Sequence, residues 1–501
     1  MNGLAYIAVV LGILLAKGLG FFRDIVFASV FGASAQTDMY FQIFGLVNLI
    51  FTGIGVALST LVIKNLNKPD VDEKSYVSAF IGKTTLATVG VTVILYLLAK
   101  PIVDVLLPGL SESDTLLAVK LMHIMLPSLW CVLIAYIISG VLQNSRVFFI
   151  SSVMSLPFNV VIICSLFVPK VSIVTVGIVT TIGWLLHILI QLPSFYKKGY
   201  RLFYRRKSEK LSLQKCKGKN SEILWIFLSN MMFQVCFMID KAFVSADSGA
   251  ASTINYASNL FITIASVFVV AMSNVVFPSI SKNYEEGNLD YVKKLLQNMI
   301  VIMLSIFIPF ILVTGCFGES IISLLYERGE FTADLAKTTG ILFAVYTLGA
   351  FGYVCQELFN KVLYLAGKYR YTVIGTVVVI ALKPVINVYA GKYGVVAIAA
   401  TTTVLFTLYA LNIALAMRKI MGKNLYGSIF RSSLKILLSG IVALAVFVLF
   451  RCTYPGLTCG KITFLIPLGV CGVIYCAGLL MSGIVKEIIK GTKAEESSKE
   501  Q

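Results

Sequence analysis

The sequence predicts an all-α, polytopic integral membrane protein with fourteen transmembrane helices, and three observations predict it. Hydrophobic residues fill 58% of the 501 positions and charged residues only 13%, with a mean hydropathy of +0.89; soluble chains carry about 25% charged residues. Apolar runs recur at the length of about 20 residues that covers a hydrocarbon core. The basic residues between those runs alternate in density, as they do when loops alternate between the two sides of a membrane.

The runs fall at residues 3–31, 38–63, 77–99, 115–143, 147–168, 172–196, 222–246, 253–281, 295–316, 334–364, 371–390, 395–417, 430–450 and 462–485. The first has no small-residue cleavage site after a short apolar core, so it reads as a retained helix rather than a signal peptide. Residues 197–219 form a basic linker with ten Lys or Arg and one Glu. With the amino terminus inside, inward connections and the tail hold 27 Lys or Arg, counting Arg431 at the inner edge of its run, against six on the outward ones. Lys64, Lys68, Lys74, Lys282, Lys293, Lys294, Lys368 and Arg370 are among the inward set. Both termini are therefore expected in the cytoplasm, and the tail at 488–501 is too polar to pack. The net charge of +18 is explained by this bias and by anionic lipid head groups, with no call for nucleic acid.

An internal repeat sets the domain plan. Shifted by 216 residues, Asp24, Phe27, Ser29, Ala35, Thr37 and Tyr40 fall on Asp240, Phe243, Ser245, Ala251, Thr253 and Tyr256. Six spans separate the copies, an even number, so both enter the membrane in the same direction. Parallel repeats of this kind build two bundles about a pseudo-two-fold along the membrane normal. The expected domains are an N-lobe of six helices at 1–196, the linker at 197–219, a C-lobe of six helices at 220–418, an appended helix pair at 419–487 and the tail.

Charges inside the runs point to the cargo. The first run carries Lys17, Arg23 and Asp24, with Gly18 and Gly20 just before the Arg-Asp pair. A charge at the bilayer centre costs roughly 2.5–3.5 kcal/mol on insertion scales, so these side chains should face protein or a wet cavity. Lys83, Lys120, Lys241, Lys337, Lys361, Lys383 and Lys435 complete the intramembrane cations, against Asp24, Asp38, Asp240 and Glu357. Glu357 and Lys361, four apart on one face, are expected to pair, and Asp240 to meet Lys241 or Lys383. The surplus of positive charge around Lys17 and Arg23 calls for an anionic ligand such as a phosphate. Snorkelling of lysines near span ends is the bland alternative.

Catalytic chemistry finds little support. His123 and His187 read as packed or interfacial residues. The Gly82-Lys83-Thr84 triplet lacks the earlier glycine of a P-loop, because position 77 is Val77. Ten scattered cysteines suggest neither a metal nor a redox centre, although Cys452 and Cys459 share a loop in which they would pair if it were oxidised. No catalytic residue, metal ligand or organic cofactor is assigned.

The run LAKGLGFFRDIVFASVFGASAQTDMYFQIFGLVNLI resembles the first two helices of the MurJ (MviN) family of bacterial lipid II flippases, within the multidrug, oligosaccharidyl-lipid and polysaccharide exporters. Related blocks recur in IDKAFVSADSGAASTINYASNLF, in VVFPSISKNYEEGN and in the segment from LLYERGEFTADLAK onward. The resemblance implies a two-lobed, fourteen-helix transporter of the bacterial cell membrane. Its implied work is to move an undecaprenyl-pyrophosphate-linked peptidoglycan precursor from the inner to the outer leaflet by alternating access, near cell-wall synthesis proteins. Arg23, Asp24 and Asp38 stand on family positions and Lys17 replaces an arginine. Asn48 lies where a Pro-Asn-Leu-Leu-Arg block would put its asparagine, with Phe51 in place of the arginine, and Asn259 stands where another cavity arginine is expected. Those two losses keep a second cargo open, a lipid-linked oligosaccharide for capsule or surface glycan, with a cation-coupled multidrug exporter as a third reading. The expected substrate-binding set is Lys17, Arg23, Asp24, Asp38, Asn48 and Asn259. Coupling to Na⁺, H⁺ or the membrane potential is expected through Asp240, Lys383, Asn387 and Thr403, with Lys383 one turn before Asn387 as a fixed cation that would make an ion unnecessary.

Overall fold

The computed structural model describes residues 3–66, 72–202, 228–229, 231–422 and 425–485. Most of the basic linker and the whole tail at 488–501 lie outside the described residues. All described regular structure is helical. Among the described residues ten helices are long and apolar enough to cross a bilayer. Counted as one span, a pair bent by 52°, Ala333–Leu348 and Ala350–Leu365, brings the number to eleven. That measure falls short of the predicted fourteen; the other predicted spans coincide with helices at Gly3–Phe31, Met232–Phe243 and Leu465–Met481, the last of 17 residues.

By contacts the chain divides into two compact units, Met1–Asn255 with Arg328–Phe331, and Tyr256–Glu327 with Thr332–Gln501. The first contains α1 (Gly3–Phe31), α2 (Ala35–Leu66), α3 (Glu73–Leu97), α4 (Ala99–Leu106), α5 (Glu112–Met125), α6 (Ser128–Asn144), α7 (Phe148–Ser152), α8 (Leu156–Leu166), α9 (Ile173–Leu189), α10 (Leu192–Lys197) and α11 (Met232–Phe243). Proline decides several of the breaks. Pro127 precedes α6, and Pro157 and Pro193 sit in the first turns of α8 and α10, where a missing N–H costs nothing. α2 is the axis of this unit, packed on α5, α6 and α11, while α1 lies on α7 and α8. α2 and α6 approach closely because Gly55 faces the Tyr136 ring and Gly140 faces Ser59.

The second unit holds most of α12 (Ala250–Glu285), then α13 (Leu289–Tyr326), α14 (Ala333–Leu348), α15 (Ala350–Val354), a π turn at Cys355–Phe359, α16 (Asn360–Leu365), α17 (Tyr369–Ala390), α18 (Val395–Met421), α19 (Gly427–Thr453), α20 (Pro455–Cys459) and α21 (Leu465–Met481). α13 pairs with α14, α17 with α18, and α19 with α21. α19 and α21 rest on α13 through Phe317, whose ring lies 4.7 Å from that of Phe447 on α19 and 5.7 Å from that of Phe464, just before α21. The side chains that both units turn outward include Leu86, Ile94, Leu97, Leu437 and Val473, an apolar coat suited to acyl chains rather than water.

Glu357 lies in the π turn at Cys355–Phe359, and Lys361, on the helix that follows, donates to Ser273 Oγ at 2.8 Å. Cys452 is a free thiol, and the Cys459 side chain lies outside the described residues.

Candidate functional site

The first cluster surrounds Arg23, in the second half of α1. Its Nε and Nη2 donate to Asp24 Oδ1 at 3.0 and 2.7 Å, and Nη1 donates to Asn159 Oδ1 at 3.2 Å. The guanidinium carbon lies 5.8 Å from the Phe44 ring centre and 5.6 Å from that of Phe158, within cation–π range. Asn159 is fixed in turn, its Nδ2 donating to Ser155 O at 3.1 Å and to Ala16 O at 3.4 Å. Gly20 faces this side chain, and a Cβ there would meet Asn159 Nδ2 at an ordinary contact distance of 3.6 Å. Sequence analysis counts Arg23 as surplus charge, and here it is paired: the neighbouring carboxylate, 12% exposed against 16% for the arginine side chain, neutralises it. Lys17 lies on the same helix, half-buried, as do Asn48 on α2 and Asn259 on α12. Lys83, Lys120 and Lys337 are exposed. Asn159 and the two rings escaped the sequence reading, because nothing in an apolar run marks which residue meets α1 from α8.

The second cluster belongs to Asp38, near the start of α2. Its Oδ2 accepts from Gly249 N at 2.7 Å, and its Oδ1 accepts from Ser252 N at 2.6 Å and from Ser252 Oγ. The carboxylate thus caps the first turn of α12, where unpaired N–H groups and the helix dipole favour an anion. Asp38 is 1% exposed. Asp38, one of the expected substrate contacts, is thus placed with its carboxylate on the Gly249 and Ser252 donors. Gly249 makes the approach geometrically feasible: its φ is +84°, and a Cβ would fall 2.7 Å from Ala33 O. Lys241 on α11 lies alongside, donating to Phe41 O and Asn255 Oδ1 at 3.4 Å each. The carboxylates of Asp38 and Asp240 are its electrostatic neighbours. Gln42 Nε2 ties the same region together by donating to Leu106 O at 2.9 Å and Met238 O at 3.0 Å. Gly329 completes it, its backbone against Ser29 O, with Glu330 N donating to that same carbonyl at 3.0 Å.

The third cluster lies within the second unit. Lys383 on α17 is fully buried, and its Nζ donates to Thr401 Oγ1 at 2.6 Å, Asn387 Oδ1 at 3.1 Å and Ile398 O at 3.3 Å. Lys383 and Asn387 are expected from the sequence to join Thr403. The threonine that joins them is Thr401, while the Thr403 hydroxyl donates to Val345 O at 2.7 Å. Asp240 is fully buried on α11, in the first unit.

The histidines are packed: His123 stacks on Tyr96 with ring centres 3.7 Å apart, and His187 sits 4.6 Å from Trp184. Among the described residues no group of His, Cys, Asp or Glu could hold a metal ion.

A family model described as lipid II flippase MurJ matches residues 27–465. The chain belongs to the lipid II flippase MurJ family. A probable lipid II flippase MurJ from Thermotoga maritima is 25% identical over 494 residues, covering 96% of this chain and 97% of the relative. One from Buchnera aphidicola subsp. Acyrthosiphon pisum is 26% identical over 374 residues, 72% of each chain. Among solved structures, lipid II flippase MurJ in an inward closed conformation aligns with a TM-score of 0.79 at 22% identity, covering 96% of this chain and 99% of that one. An inward-facing multidrug resistance MATE family transporter of the MOP superfamily aligns at a TM-score of 0.60 and 13% identity, covering 82% and 98%. These likenesses show the fold. Membership in the family makes the chain a multi-pass membrane transporter of peptidoglycan synthesis rather than an enzyme.

Proposed function

We propose that the chain carries lipid II from the inner to the outer leaflet of the bacterial cell membrane by alternating access, with both termini in the cytoplasm. In this reading the six-helix lobes at 1–196 and 220–418 rock about the head group while the polyprenyl tail stays in lipid. Lys17 and Arg23 hold the pyrophosphate by charge-assisted hydrogen bonds. The observation that carries the reading is the Arg23 cluster: a guanidinium within an apolar helix whose orientation is set beforehand by Asp24, Asn159, Phe44 and Phe158. An anion that meets a group already held in place loses less entropy on binding. Asn48 and Asn259 would serve the sugar and peptide as neutral donors. The oligosaccharide part of the cargo follows from the family's substrate, and cell-wall synthesis proteins that consume the flipped product are its expected neighbours.

The membrane potential suits this cargo. With the interior negative, moving a negative charge outward is favoured by roughly 2.3 kcal/mol per charge per 100 mV. The test is lipid II exposure at the outer surface of cells depleted of their own flippase and supplied with this chain. Wild type should restore exposure and Arg23→Ala should reduce it at least tenfold at equal expression; equal exposure with Arg23→Ala would end the anion-clamp reading.

A further inference from the structure

We infer that the Lys383 ammonium is a built-in monovalent cation of the second unit: it occupies an oxygen cage on α17 and α18, so that no free coupling ion binds there. The inference deepens the transport reading for its consequence, but its physical content stands on the cage itself. An ammonium is a multiple donor, and among its acceptors are three of different kinds, the hydroxyl of Thr401, the side-chain amide of Asn387 and the backbone carbonyl of Ile398. Hydroxyl, amide and carbonyl oxygens are also the donor set that hard cations take. Here they are already committed to a cation that cannot leave.

The cage is braced from within. Thr401 Oγ1 lies 2.7 Å from Asn387 Oδ1 and 2.7 Å from Ile398 O; its one proton goes to one of these while its lone pair accepts from Lys383. Lys383 and Asn387 are one turn apart on α17, and Ile398 and Thr401 are one turn apart on α18, two helices that pack along their length. All the side chains involved are buried, Lys383 and Asn387 fully. A small cation entering would have to displace the ammonium from the same oxygens and leave it buried without them, a cost far larger than a neutral vacancy would impose. The oxygens of Asn387, Ile398 and Thr401 therefore leave no place for a second cation beside Lys383.

The experiment uses the full-length chain purified in detergent. Thermal unfolding is followed at equal ionic strength in sodium, potassium and N-methyl-D-glucamine chloride, and equilibrium binding of radioactive Na⁺ is measured alongside. Wild type should unfold at the same temperature in all three salts and show no saturable Na⁺ binding. Lys383→Ala leaves the oxygens with room for a cation, so it should unfold several degrees earlier in N-methyl-D-glucamine and recover saturably with Na⁺ or methylammonium. Lys383→Met fills the space without charge and should unfold earlier than wild type in every salt alike, which decides the matter even where the alanine variant does not fold. Saturable Na⁺ stabilisation of wild type, a methionine variant as stable as wild type, or a folded alanine variant that no small cation stabilises would each overturn the inference. Flipping by wild type in reconstituted vesicles should be equal with and without Na⁺. Absence of flipping in both would count against the transport reading and leave the ion measurements standing.

Discussion

Replacing Asp38 by alanine isolates one device of this fold, the carboxylate that closes the first turn of α12. The side chain serves three donors, two of them backbone N–H groups at 2.6 and 2.7 Å, in a site only 1% exposed. A buried N–H left without a partner costs about 1–3 kcal/mol, and loss of a charge at a helix N-terminus about 0.3–1 kcal/mol. Taking the low end for both amides and adding the dipole gives roughly 3 kcal/mol for the local opening of this turn. At 1.4 kcal/mol per factor of ten, the open population should rise about 100-fold. Hydrogen exchange of a peptide spanning residues 245–256 reads that population directly. Asp38→Asn keeps one carbonyl oxygen but sets an NH₂ against the other donor, so its exchange should fall between wild type and alanine. Unchanged exchange in Asp38→Ala, at equal folding by circular dichroism, would refute the capping account.

Two further substitutions test the same physics elsewhere. Gly249→Ala places a Cβ 2.7 Å from Ala33 O at a φ of +84°, and should lower the thermal midpoint by the equivalent of about 1–3 kcal/mol, the cost of a strained backbone position, whereas Gly315→Ala, inside α13 with no left-handed φ and no atom within 4 Å, should lose less. Tyr200, outside the spans, donates to Glu73 Oε2 at 2.6 Å; burial first and then this hydrogen bond push its phenol up to about 12 from 10. Because the folded value is the raised one, the contribution is complete below about pH 10 and is lost as pH climbs through about 12. The difference absorbance of wild type minus Tyr200→Phe should show one phenolate appearing near pH 12, with a transition near 10 refuting the contact.

What was legible in the sequence and what was not divide along a physical line. Apolar length gave helices at every predicted run that the structure describes, because a chain in lipid has to satisfy its backbone hydrogen bonds within each segment. The proline-marked breaks after Met125, Ser152 and Leu189 are local signals as well, although they subdivide runs that were read as continuous. Side-chain partnership was another matter. Asp38 meets residues 211 and 214 positions away, and no local pattern distinguishes a carboxylate that caps a distant helix from one that lines a cavity. Thr401, Thr402 and Thr403 are consecutive, and a turn of about 100° per residue decides which of them faces Lys383; composition is silent on that choice. An apolar run marks Arg23 as an intramembrane cation, but its neutralisation by the adjacent Asp24 depends on a rotamer.

That neutralisation leads to the sharpest prediction about transport. A carrier has to release what it binds, so an anion clamp gains nothing from holding the ground state as tightly as electrostatics permits. Asp24 takes up Arg23 through two N–H groups at 2.7 and 3.0 Å, and a pyrophosphate has to share or displace that charge. Asp24→Asn removes the competitor while leaving an oxygen for one hydrogen bond. A charged hydrogen bond contributes about 1.5–3 kcal/mol, so head-group affinity should rise about 10- to 100-fold while the steady-state flipping rate falls. Asp24→Glu, which restores the charge on a longer stem, should recover release in part. Tighter binding with faster flipping would show that release is not limited by this arginine, and binding no tighter than wild type would show that Asp24 orients Arg23 without competing for it.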